Sequence, residues 1–127
     1  MRRLAVAVVA LMVVAGCVTP SIPIPPPDPG KMTFHVAGGS GSGATGTATF
    51  SYPADPAYKG AVVYVFDQDL GEGVIEAAGV DGAFPETQPF PAVLGNQVLV
   101  TIQREDQSEA TCIVLQDGMQ SSTNVCE

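Results

Sequence analysis

Glycine and proline break much of this chain, and no long segment carries helical periodicity. There are 14 Gly and 11 Pro in 127 residues, above the average usage of about 7% and 5%. Proline fixes φ and lacks an N–H, which bars it from helix interiors and central strands. Several short segments instead alternate with period two rather than 3.6. In residues 32–36, Phe34 and Val36 share one face while Thr33 and His35 share the other. In residues 44–51, Thr45, Thr47, Thr49 and Ser51 alternate with Ala44, Gly46, Ala48 and Phe50, which turns the threonine face to solvent. Residues 61–66 are apolar on both faces, as a central strand requires. Residues 74–78 form a weaker strand, followed by the Val80-Asp81-Gly82 turn and Ala83-Phe84. Pro85, Pro89 and Pro91 imply an irregular crossing. From Gly95-Asn96 a further strand opens, with Val98, Val100 and Ile102 inward and Leu99, Thr101 and Gln103 opposite. Residues 104–109 read as a polar hairpin tip and 111–115 as the last main strand.

About seven short strands with frequent turn signals predict an all-β fold over residues 31–127, a small two-sheet antiparallel β-sandwich of immunoglobulin-like type. Within it, Asp81-Gly82-Ala83-Phe84 precedes Leu94-Gly95-Asn96, which leads into Val98-Leu99-Val100. This order resembles the carboxypeptidase-regulatory-like and transthyretin-like domains, in which a "DG-aromatic" turn comes before a Gly-led "G-polar-x-V-x-V" strand. The resemblance covers about half the domain and rests on turn chemistry.

The first seventeen residues carry an address. Met1-Arg2-Arg3 is a positive start, and residues 4–15 are an unbroken apolar run. Twelve residues are too few for a bilayer core of about 30 Å but suit the apolar region of a signal peptide. The run ends in Val14-Ala15-Gly16-Cys17. This resembles the lipobox of bacterial lipoproteins, which implies cleavage before Cys17, a diacylglyceryl group on its thiol and often acylation of the new amine. An uncleaved anchor helix or an ordinary secretory signal are the alternatives. Residues 1–16 are thus expected to be a lipoprotein signal peptide, and Cys17 the lipidation site. Lipid would hold the protein to a membrane without a transmembrane helix, since two or more acyl chains anchor stably. Val18 stands where an Asp commonly retains Gram-negative lipoproteins at the inner membrane; its absence favours the outer membrane in such a source.

Between Cys17 and Gly30 the chain is proline-rich, and residues 17–30 are read as a tether. Extended polyproline II at about 3.1 Å per residue would place a domain up to roughly 40 Å from the lipid.

Charge and cysteine narrow the function. The formal net charge is −8, with 13 acids against 5 bases, which argues against a nucleic-acid partner. With Cys17 lipidated, Cys112 and Cys126 remain as a pair, and an exported domain favours a disulfide between them. Chemistry is sparse. His35 is the one histidine, on the outer face of the first strand with no nucleophile near it in sequence, and it reads as a surface residue. Ser40 and Ser42 sit in a Gly-Ser loop that lacks the spacing of a nucleophile elbow. Asp67, Asp69 and Glu72 are the candidates for a Ca²⁺ site, although only the first two carry suitable ligand spacing, and a solvated turn is the plainer reading. No cofactor is expected. The sequence therefore points to a non-enzymatic, membrane-anchored module of the cell envelope that binds an envelope protein or glycan; the alternative is a small-ligand or Ca²⁺-binding module.

Overall fold

The computed structural model describes residues 22–39 and 44–127. The expectations for residues 1–16, Cys17, Ser40 and Ser42 lie outside them. The described residues contain eight strands: β1 (Thr33–Gly38), β2 (Gly46–Ser51), β3 (Val62–Asp67), β4 (Glu72–Ala77), β5 (Phe90–Ala92), β6 (Gln97–Arg104), β7 (Gln107–Val114) and β8 (Gly118–Met119). They form two four-stranded sheets, ordered β5-β2-β1-β8 and β4-β3-β6-β7, with every pairing antiparallel. The fold is the expected two-sheet β-sandwich. Hairpins β1–β2, β3–β4 and β6–β7 stay within one sheet, while the chain changes sheet between β2 and β3, β4 and β5, β5 and β6, and β7 and β8.

The alternation in the sequence is the alternation of burial. Val63 and Val65 of β3, Val98, Val100 and Ile102 of β6, and Phe34 and Phe50 of the other sheet are buried. Val65 stands opposite Val100 and Val63 opposite Ile102, so the inner row of one strand meets the inner row of the next. Each such side chain contributes roughly 1.5–3 kcal/mol on burial. Aromatic rings concentrate at one end, where Tyr52 lies 5.7 Å from Tyr58 and Tyr58 lies 6.1 Å from Phe84. The Asp81-Gly82 turn sits against this cluster. Gly82 has a φ of 82°, and a Cβ there would collide with the Asp55 carbonyl.

Three local expectations change. Residues 104–109 are not a long tip: β6 runs to Arg104 and β7 starts at Gln107, so the turn is Glu105-Asp106 alone. Polar composition misled here, because Ser108 and Glu109 lie on the exposed edge of a sheet. The crossing at residues 85–91 contains a strand, since β5 pairs only with β2 and Pro91 occupies an edge, where a missing N–H costs no ladder bond. Ala83-Phe84 makes no strand but a single bridge from Phe84 to Tyr52.

The largest difference concerns the tether. Ile24, Pro27 and Pro29 are buried, and residues 22–30 lie against the sandwich as a strap. Its prolines preclude a sheet ladder, so side chains satisfy its backbone instead. The Gln107 carboxamide oxygen accepts from Ile24 N at 2.7 Å, and the Tyr52 hydroxyl accepts from Asp28 N at 3.0 Å. Tyr58 Oη donates to the Pro25 carbonyl at 2.8 Å, and Thr111 Oγ1 to that of Pro27 at 2.7 Å. The Ile22 carbonyl accepts from Gln107 Nε2 at 3.1 Å and from Arg104 Nη2 at 3.2 Å. Ile24 enters the core at 3% exposure. The free spacer expected over residues 17–30 therefore does not extend through residues 22–30.

Candidate functional site

The two outer faces of the sandwich differ in chemistry. On the β1–β2 sheet the outward positions of these two strands are Thr33, His35, Ala37, Thr47, Thr49 and Ser51, mostly polar, with the exposed Met119 of β8 beside Thr33. On the other sheet they form apolar rows: Ile75, Tyr64, Thr101 and Ala110 stand side by side across β4, β3, β6 and β7, with Gly73, Phe66, Leu99 and Cys112 in the next row. Ile75 is 63%, Phe66 41% and Tyr64 38% exposed. Strand alternation puts Tyr64 and Phe66 on the face opposite Val63 and Val65, so the sequence that builds the core also displays these rings. The sequence reading treated residues 61–66 as buried on both faces; the outer face of β3 is in fact uncovered. Exposed, contiguous apolar rows of this kind mark binding surfaces more often than isolated apolar residues do.

Cys112 ends the second row in a disulfide with Cys126, with a Cα–Cα distance of 5.3 Å. The tail is further fixed by Asn124, which accepts from Val114 N at 3.2 Å and donates to Val114 O at 2.8 Å. Asn124 thus gives β7 the donor and acceptor that a neighbouring strand would supply.

The acidic turn is organised differently from the solvated turn that was expected. Asp67 is the last residue of β3 and is fully buried. Its Oδ1 accepts from Asp69 N and Leu70 N, both at 3.0 Å, and its two oxygens accept from Asn96 Nδ2 at 3.1 and 3.0 Å. Asp69 Oδ2 accepts from Gln97 N at 2.9 Å. These carboxylates bind the β3–β4 turn to the start of β6. Glu72 is exposed, and the structure does not gather it with the other two; among the described residues no three His, Cys, Asp or Glu converge on a common metal position. Asn96 was missed as the partner. Its only sequence signal was its place beside Gly95 in a turn.

His35 lies on the polar face, with Nε2 3.7 Å from Glu86 Oε2 and both side chains more than half exposed. Such a pair contributes about 0–1 kcal/mol. A shallow cleft of about 380 Å³ opens at the start of β1, lined by Lys31, Thr33, Ser51, Pro53 and Met119 among others. Burial pushes the Tyr58 phenol well above its ordinary value, with smaller contributions from Tyr52 and the neighbouring carboxylates. Its role is to clasp the strap.

Comparison with known proteins leaves the site to be judged on its geometry: no protein-family model, curated protein or solved structure matches the chain.

Proposed function

We propose that this chain is a lipid-anchored, non-enzymatic interaction module of the cell envelope, held by Cys17 and presenting the apolar face of the β4-β3-β6-β7 sheet to an envelope protein or glycan. The observation that carries the interaction part is that Ile75, Tyr64 and Phe66 stand exposed in adjacent rows of one sheet face, whereas other exposed apolar side chains such as Val80, Leu94 and Val125 lie outside the strands. Aromatic and branched side chains in a contiguous patch are the usual anchors of a binding surface. The anchor rests on the order of charge, apolar run and Val14-Ala15-Gly16-Cys17. The Asp81-Gly82 and Gly95-Asn96 turns support a kinship with carboxypeptidase-regulatory-like sandwiches, since both glycines adopt the positive φ such turns use.

Two measurements test the proposal. Cys17→Ser should abolish labelling by an alkynyl fatty acid and leave unprocessed or soluble protein; labelling as in the wild type would remove the anchor. A photo-cross-linking residue at Ile75 should trap a discrete adduct in the native envelope, while one at Thr47 on the polar face should not. Equal patterns at the two positions would remove the interaction face.

A further inference from the structure

We infer that the anchored domain stands end-on and close to the bilayer, with the β6–β7 turn toward the lipid and the acidic β3–β4 turn pointing away. The inference deepens the lipid-anchor reading and rests on it. Its support is the strap. Were residues 17–30 free, the domain could tumble some 40 Å above the membrane. The chain is instead gripped from Ile22 onward, and the grip on Ile22 comes from Arg104 and Gln107, which flank the Glu105-Asp106 turn. Only residues 18–21 remain between Cys17 and the held residue. Five residue steps span at most about 18 Å. The chain thus leaves the fold at one end of the sandwich on a leash shorter than the sandwich itself, because β6 with its eight residues runs for about 27 Å.

Charge placement is compatible with this orientation but does not by itself select it. The described residues hold three bases: Lys31, Lys59 and Arg104. All three lie at the strap end. Arg104 donates to the Ala57 carbonyl beside Tyr58 and Lys59, and Lys31 lines a cleft with Tyr52 and Pro53. Seven acids share that end, namely Asp28, Asp55, Glu76, Asp81, Glu105, Asp106 and Glu109. The opposite end carries Asp67, Asp69, Glu72 and Asp117 and no base. Asp117 belongs there because it accepts from Val36 N, near the far end of β1. Both ends are net acidic, so an anionic bilayer repels both, and charge only places the three bases on the side of the strap. The Gly79–Gly82 turn also lies at the near end, since Ala78 N donates to Ala61 O at the start of β3, and it carries Val80 at 98% exposure.

The chain lacks tryptophan, so single-Trp variants report position without background. The lipidated full chain would be reconstituted into phosphatidylethanolamine/phosphatidylglycerol vesicles containing dansyl-phosphatidylethanolamine, with Trp placed by Asp106→Trp at the near turn or Leu94→Trp at the far end. Energy transfer should be several-fold more efficient for Asp106→Trp. Inserting fifteen Gly/Ser residues after Thr19 should erase the difference while flotation with the vesicles persists. Equal or reversed transfer in vesicles that carry the protein would overturn the orientation and leave the anchor standing. Failure of the wild-type lipidated chain to float would overturn the anchor and the orientation with it.

Discussion

Removing the strap is the perturbation that most directly tests how this sandwich is closed. The comparison is between chains spanning residues 22–127 and 31–127, in unlipidated form. Loss of the strap uncovers Ile24, whose burial contributes about 1.5–3 kcal/mol. It also deletes four partly buried hydrogen bonds, from or to Gln107, Tyr52, Tyr58 and Thr111, at a net of about 0.5–1.5 kcal/mol each. Against this stands the entropy regained by the released residues. The prolines have little to regain because their φ is already fixed, so the cost falls on Ile22, Ile24, Asp28 and Gly30 at about 1–2 kcal/mol each, and the burial of Pro27 and Pro29 offsets the last of these. The balance leaves the strap stabilising the fold by about 2 kcal/mol. For a domain of this size that is a drop in Tm of about 8–16 °C. Thermal unfolding followed by far-ultraviolet circular dichroism measures it. An Ile24→Ala variant of the longer chain sets an internal check. A fixed isoleucine would cost about 2–5 kcal/mol on truncation, but a strap can detach, so the loss cannot exceed the strap's own contribution of about 2 kcal/mol. Midpoints of the two chains within about 2 °C would show that residues 22–30 merely rest on the surface, and would refute the reasoning.

Asp67→Asn should destabilise the domain by about 2–3 kcal/mol in the absence of any metal, because an amide turned toward Asn96 Nδ2 cannot accept all of the donors that now meet there; chemical denaturation measures it. Millimolar Ca²⁺ should move the Tm by less than about 2 °C, since a site at a hundred times its Kd would add about 2.7 kcal/mol. Reducing the Cys112–Cys126 bond should lower the Tm by about 12–24 °C, from about 3 kcal/mol of loop-closure entropy, and the two thiols should resist alkylation until reduction. Tyr58 titrates above its unfolded value in the native state, so its contribution to stability is full below about pH 10 and declines above it, by about 1.4 kcal/mol per pH unit. A Tyr58→Phe variant should flatten that alkaline slope, which urea titrations between pH 9 and 11 would read.

What the sequence disclosed and what it hid divide along one physical line. Period-two alternation located β1, β2 and β6, because each side chain's face follows from the strand itself, and a continuous apolar run located β3. Cys112 and Cys126 were paired by counting, a rule that needs no geometry. Two failures involve a backbone or carboxylate whose partner lies far along the chain. Proline in residues 23–29 announced that no ladder would form, and that was correct; it did not announce that Tyr52, Tyr58, Gln107 and Thr111 would supply the missing partners. Asp67 announced a charge and a turn, but its burial depends on Asn96, 29 residues away. The exposed rings of β3 were hidden for the converse reason: an apolar strand looks the same whether a second layer covers its outer face or a binding partner does. Local pattern fixes which face a residue occupies, and only the tertiary fold decides what stands opposite it. In this molecule the same rule separates a proline spacer from a proline strap.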